Sequence, residues 1–154
     1  MSALNGVYFN FEADFVASLR CIPMQVRYKL DTCGVKLKLH HWNQFSTEER
    51  RQLVEMPCDM EAAIAHYRDH LQALVTQHSG SPAGELPIDP TPPWMDSTQI
   101  PPTVQAKLEE VGGTLSLDQW QALTPLQRFA LIKLSRPGHE NHNFVPALRE
   151  FQPA

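Results

Sequence analysis

No apolar run in the chain approaches the roughly 20 residues needed to cross a bilayer, so no membrane-spanning segment is expected. The first ten residues lack a basic stretch followed by an apolar one, which argues against a secretory signal. Basic residues are in the minority: 13 Lys and Arg stand against 17 Asp and Glu, for a net charge of -4. That balance speaks against a nucleic-acid partner, which would need a strong local cluster of cations. The nearest thing to one, Arg20, Arg27, Lys29, Lys36 and Lys38, is sparse. Cysteine is scarce as well. The three present (Cys21, Cys33 and Cys58) are odd in number and have no C-x-x-C spacing. They fit reduced thiols better than a disulfide framework, and the expected setting is cytoplasmic. Also missing are a glycine-rich phosphate loop, a G-x-S-x-G elbow and a kinase signature. Neither enzymatic activity nor a cofactor is expected.

What the chain does contain is a repetition of itself. Its 154 residues suit a single domain, and 42% hydrophobic content is ordinary for a globular protein. A shift of 78 residues aligns IPMQVRYKLDTCGVKLKLHHWNQFSTEERRQLV, residues 22–54, with IPPTVQAKLEEVGGTLSLDQWQALTPLQRFALI, residues 100–132, without a gap. Eleven positions are identical, among them Pro23/Pro101, Lys29/Lys107, Gly34/Gly112, Trp42/Trp120 and Arg50/Arg128. Turn formers, apolar positions and a tryptophan all in phase indicate two diverged copies of one unit. The expected organisation is one domain, 1–154, with repeats over 22–78 and 100–151.

Each copy reads as the same physical device. Pro23 and Pro101 suit the first turn of a helix, where a missing N–H costs nothing. Val26, Leu30 and Cys33 follow at helical spacing, as do Val104, Leu108 and Val111. Gly34 and Gly112 then stand where a left-handed C-terminal cap belongs. Val35–Leu39 and Thr114–Leu117 alternate apolar and polar, which predicts a short extended segment in each copy; the two could pair with each other. Ser46 with Glu49 forms a capping box, and Thr124 with Pro125 starts the matching helix. A third helix is expected in each half, long in the first (Met60 to Val75) and short in the second (Phe144, Leu148, Phe151). Residues 79–99 hold five prolines and no Lys or Arg, and predict an irregular connector held to the surface by Leu86, Ile88, Trp94 and Met95. The fold class is therefore all-α, mainly helical: two diverged helical repeats packed together, with a short extended segment after the first helix of each.

Several constellations weigh less than they first suggest. His66 and His70 are four apart on the expected long helix, but no H-E-x-x-H pattern or third ligand accompanies them. His139 and His142 form a second weak pair around Glu140, after Pro137-Gly138. His40-His41 become Asp118-Gln119 in the other copy, so no shared role requires histidine. Cys21 and Cys33 lie near basic residues, which can activate a thiol, but Cys33 matches Val111 and so reads as a small buried residue. Cys58, after Pro57, reads as a loop or cap residue. Lys29/Lys107 and Arg50/Arg128 occur in both copies and suggest structural tasks, such as meeting a helix C-terminus.

The words FEADFV, SLRCIPM, KLDTCG and KLKLHHW, with the later P-x-x-V-x-x-K-L reprise, make the chain resemble the nitrate reductase-associated protein family of cyanobacteria. The resemblance runs through nearly the whole chain. It implies a non-catalytic helper needed for active nitrate reductase, a molybdenum enzyme, with nitrate reductase or its cofactor-insertion machinery as partner. No catalytic motif of the family is available to carry over. The residues themselves single out what differs between copies. Arg27, Cys33, Lys36 and Lys38 face Gln105, Val111, Thr114 and Ser116, so the expected partner-binding surface comprises Arg20, Cys21, Arg27, Lys29, Cys33, Lys36 and Lys38. The alternative is a carrier of metal or molybdenum cofactor that uses His66/His70 or His139/His142.

Overall fold

A computed structural model describes residues 22–136 and 143–151. Arg20, Cys21, His139, Glu140 and His142 lie outside the described residues. Among the described residues are eight α-helices and one two-stranded ribbon, so the fold is mainly helical. The chain divides into two compact units, Met1–Ile88 and Asp89–Ala154, with the boundary inside the proline-rich connector.

The first unit contains α1 (Met24–Cys33), β1 (Val35–Lys36), α2 (Leu39–Gln44), α3 (Thr47–Glu55), α4 (Glu61–Ser79) and β2 (Gly84–Glu85). Pro23 stands one position earlier than the first helical turn, at the N-cap of α1, where its carbonyl accepts from the Val26 and Arg27 N–H groups. Gly34 ends α1 in the left-handed region, at φ 76°, and its N–H returns to the Leu30 carbonyl. α1 packs against α3 and α4. The core between them joins Val26, Leu30, Trp42, Leu53, Tyr67 and Leu71, all buried.

The two alternating segments do not pair with each other. β1 pairs antiparallel with β2, which comes from the connector immediately after α4: Val35 faces Glu85 and Lys36 faces Gly84. The Leu86 N–H extends the ribbon by donating to the Gly34 carbonyl at 2.9 Å. Residues 114–116 form no strand; the neighbouring position that holds Val35 in the first copy is Gly113 in the second, which weakens extended pairing there. Nor does the extended segment reach Leu39, which opens α2.

The second unit contains a 3₁₀ turn (Pro93–Met95), α5 (Pro102–Val111), α6 (Leu117–Ala122), α7 (Pro125–Ser135) and α8 (Phe144–Phe151). α7 is its centre, packed by α5, α8 and the 3₁₀ turn. Trp94 of the turn is buried with its ring edge-on to Phe129 at 4.9 Å, and the Trp120 indole N–H donates to the Asp96 carbonyl at 3.0 Å. The starts of α5, α6 and α7 repeat those of α1, α2 and α3 at the same 78-residue offset. The boxes at Ser46/Glu49, Ser116/Gln119 and Thr124/Gln127 are all formed, each side chain accepting from the other residue's backbone N–H.

The ends of α3 and α7 differ, and a proline decides how. Pro57 pushes the preceding residue out of helical conformation, so α3 stops with Met56 extended. The matching residue in the second unit, Leu134, remains within α7, because the next proline there is Pro137. Three of the carbonyls at the end of α3 are met by donors from elsewhere. Tyr67 Oη donates to Leu53 at 2.6 Å, while Lys29 Nζ donates to Val54 at 2.6 Å and to Met56 at 2.5 Å. Lys107 finds no such carbonyls and pairs with the exposed Glu110 at 2.6 Å. The repeated arginines do share a task. Arg50 donates to the Trp42 and Asn43 carbonyls, and Arg128 to those of Trp120 and Leu123, so each closes the end of the short tryptophan helix. Arg128 also reaches the Trp94 carbonyl at 2.7 Å.

Two comparisons test this account. Lys29→Ala strips donors from two carbonyls at a buried helix end, and urea unfolding is expected to show a loss of about 1–3 kcal/mol. Lys107→Ala breaks a pair whose carboxylate is exposed and bares no helix-end carbonyl, so it is expected to cost less, about 1 kcal/mol. Gly112→Ala meets open space at φ 68°, and its cost is the left-handed backbone alone, about 1–2 kcal/mol. Gly34→Ala at φ 76° places its Cβ 2.8 Å from Ile88 Cγ1 and 3.0 Å from the Leu86 carbonyl, so its loss of stability is expected to be the larger. Equal costs at Gly34 and Gly112 would show that the connector does not press on the α1 turn.

Candidate functional site

The expected partner-binding residues of the first unit separate into an outer and an inner set. In the extended backbone after Gly34, successive side chains point to opposite sides. Val35 and Leu37 are buried, which leaves Lys36 and Lys38 exposed. The exposure continues into the first turn of α2, where Leu39 is 49% exposed and His40 is also at the surface. Lys36, Lys38, Leu39 and His40 thus make a short strip combining positive charge with an apolar side chain on a chain of net charge -4. The corresponding residues of the second unit are Thr114, Ser116, Leu117 and Asp118. Leu117 is exposed there too, at 42%, but without the basic neighbours.

Lys29 and Cys33 do not belong to that surface. Both are buried, Lys29 beneath the end of α3 and Cys33 in the hydrophobic core. Burial holds the Lys29 ammonium below its ordinary lysine range, against the opposing pull of Cys58 and Asp59. Arg27 is half-buried and donates to the Ile22 carbonyl at 3.0 Å, bracing the start of α1. Sequence spacing showed which residues differ between the copies. It did not show depth, which follows from where α3 and α4 cross α1.

Cys58 is the residue whose place the sequence concealed. It is buried in the core of the first unit, with its sulfur beside that of Cys33. The Cys58 thiol beside it and the Val35 backbone lower the Cys33 pKa, with Arg68 nearby adding to them and burial opposing. The same contact, together with burial, pushes the Cys58 thiol well up. Cys33 Sγ lies 3.9 Å from the Leu30 carbonyl and Cys58 Sγ 3.8 Å from that of Lys29, so successive carbonyls of α1 receive the two thiols. The nearest sequence signal was Pro57, which predicts the chain break that turns Cys58 inward.

Of the two histidine pairs, only His66 and His70 fall among the described residues. The His66 and His70 rings lie 6.5 Å apart, inclined by 29°, and His66 is exposed. Among the described residues no group of three or more His, Cys, Asp or Glu side chains is placed to hold a metal ion. His41 has a definite local role. Its Nδ1 accepts from the Lys38 backbone N–H at 3.1 Å, as Gln119 accepts from Ser116 at 2.8 Å in the second unit. The shared position needs an acceptor, and either residue type supplies one.

The profile of the conserved nitrate reductase-associated protein family matches residues 8–151. The chain belongs to this family. No curated protein and no solved structure matches it. Among the described residues no helix is long and apolar enough to cross a membrane. Family membership associates the chain with nitrate reductase and agrees with the resemblance carried by its sequence words.

His41 generates a pH prediction. Burial first, then His40 and Lys38, hold its pKa below the ordinary histidine value, and only the neutral ring can accept the Lys38 N–H. Its contribution to stability is therefore full above the unfolded-state pKa and is lost as the pH falls through the lowered folded one. Thermal melts of the wild type and His41→Gln across the mildly acidic range are expected to diverge, the variant losing less stability. Parallel curves would remove His41 from this role.

Proposed function

We propose that the chain is a non-catalytic accessory protein that supports maturation or activity of assimilatory nitrate reductase through protein–protein contact. The observation that carries this reading is the family match across nearly the entire chain. The exposed strip Lys36, Lys38, Leu39 and His40 is the proposed docking surface. Cations spaced along an extended segment favour an acidic partner face, and the neighbouring leucine supplies apolar contact area. The structural tasks found for Lys29, Arg50 and Arg128 support this choice, because they assign those charges to the scaffold.

A strain lacking the protein tests the reading when reductase abundance and reductase activity are measured separately. Enzyme present but inactive supports maturation, and enzyme absent supports stabilisation. Unchanged abundance and activity would refute the proposal. For the docking surface, the double variant Lys36→Glu/Lys38→Glu is expected to reduce co-purification of nitrate reductase at least tenfold (about 1.4 kcal/mol) while keeping the wild-type melting temperature. Undiminished co-purification would place the contact elsewhere.

A further inference from the structure

Cys33 and Cys58 are 1% and 6% exposed, yet each borders an opening. A cleft of about 460 Å³ in the first unit is lined by Cys33, Arg68, Gln72 and Ala83, among others. Gln72 is fixed at its wall, donating to the Ala83 carbonyl at 3.1 Å and accepting from the Ala83 N–H at 2.7 Å. Arg68, half-buried, acts on Cys33 with its positive charge, although Asp69 and Glu85 line the same cleft. Cys58 does not line this cleft; it lines a second one, of about 240 Å³, with Tyr28, Met56 and Asp59, and its sulfur is held to the Lys29 carbonyl. The matching positions in the second unit are Val111 and Arg136, so the thiol pair belongs to the first unit alone.

We propose that Cys33 and Cys58 form an oxidisable dithiol, converted to a disulfide by a small hydroperoxide that enters the cleft beside Cys33. The two thiols are unequal in the way such a reaction needs. Contact with Cys58 and the charge of Arg68 favour the Cys33 thiolate, whereas Cys58 keeps its proton. In the first step the Cys33 thiolate attacks the distal peroxide oxygen. An S–O bond forms, the O–O bond breaks, and the departing oxygen leaves as water after taking up a proton. In the second step Cys58 gives up its proton and attacks the Cys33 sulfenic sulfur. The S–S bond forms, the S–O bond breaks, and the hydroxyl leaves as a second water. With hydrogen peroxide the sum is two thiols and one peroxide to one disulfide and two waters. The sulfurs lose two electrons and the peroxide gains them. A dithiol reductant reverses the change by thiol–disulfide exchange. The new bond ties the end of α1 to the loop after α3 and so constrains the unfolded chain, which raises the melting temperature of the first unit.

The test uses the full chain, reduced, then exposed to a few equivalents of hydrogen peroxide and alkylated after denaturation. Peptide mapping without reduction is expected to show a 33–58 linked pair, lighter by two hydrogens, with Cys21 alkylated. Dithiothreitol restores both thiols. Cys58→Ser is expected to accumulate a dimedone-reactive sulfenic acid on Cys33, and Arg68→Met to slow oxidation several-fold. Recovery of Cys33 and Cys58 both alkylated, or linkage only through Cys21 or between chains, would overturn the proposal. The wild-type map decides by itself should a core substitution prevent folding.

Discussion

A helix that ends inside a protein leaves carbonyls without partners, and in this chain buried cations supply the missing donors. Helices this short consist largely of ends, and at two of them, those of α3 and α6, the carbonyls met by Lys29 and Arg128 are buried. Water cannot reach them, and each unpaired carbonyl costs free energy comparable to a lost hydrogen bond. Lys29 answers this at the end of α3 in the first unit, and Arg128 at the end of α6 in the second. Each is a long side chain whose apolar stem packs while its charged head reaches across to another element. The cations thus join elements that apolar contact alone would leave free to slide.

This constraint explains why charges repeated in both copies are poor candidates for function. Arg50 and Arg128 do the same work, and Arg128 does more of it because its unit also gathers the connector at Trp94. Lys29 and Lys107 began as the same residue in the alignment and diverge because one proline moved. Where Pro57 breaks α3, carbonyls become available to Lys29; where Pro137 comes later, α7 runs on and Lys107 turns to Glu110. The same break brings Cys58 inward against Cys33. Function is then sought in what sets the first unit apart: the basic strip from Lys36 to His40 and the thiol pair in its core.

The helix starts were legible because their signals are local. Ser46 with Glu49 and Thr124 with Pro125 announce α3 and α7, and the two left-handed glycines close α1 and α5 as their spacing predicted. The short tryptophan helices were missed, although Ser116 with Gln119 is a readable box. Its counterpart in the first copy is not readable, since Lys38 has no side-chain acceptor and His41 performs only half of the pairing. The candidate surface was legible only as a list of charges. Alternation along residues 35–38 correctly separates Lys36 and Lys38 from Val35 and Leu37, but helical spacing cannot tell a buried Lys29 from an exposed one.

The amino-acid sequence by itself determined the helical class, several of the caps, the in-phase repetition and the likeness to the nitrate reductase-associated family. All of these are properties of neighbouring residues or of letters compared in order. Tertiary structure alone decided three further things: that β1 pairs with the connector, that Lys29 serves α3 and not a surface, and that Cys58 meets Cys33. Each depends on contacts between residues 25 or more positions apart. Such contacts form when one helix end is buried against another element, and the burial, unlike the helix itself, is not encoded within any single segment.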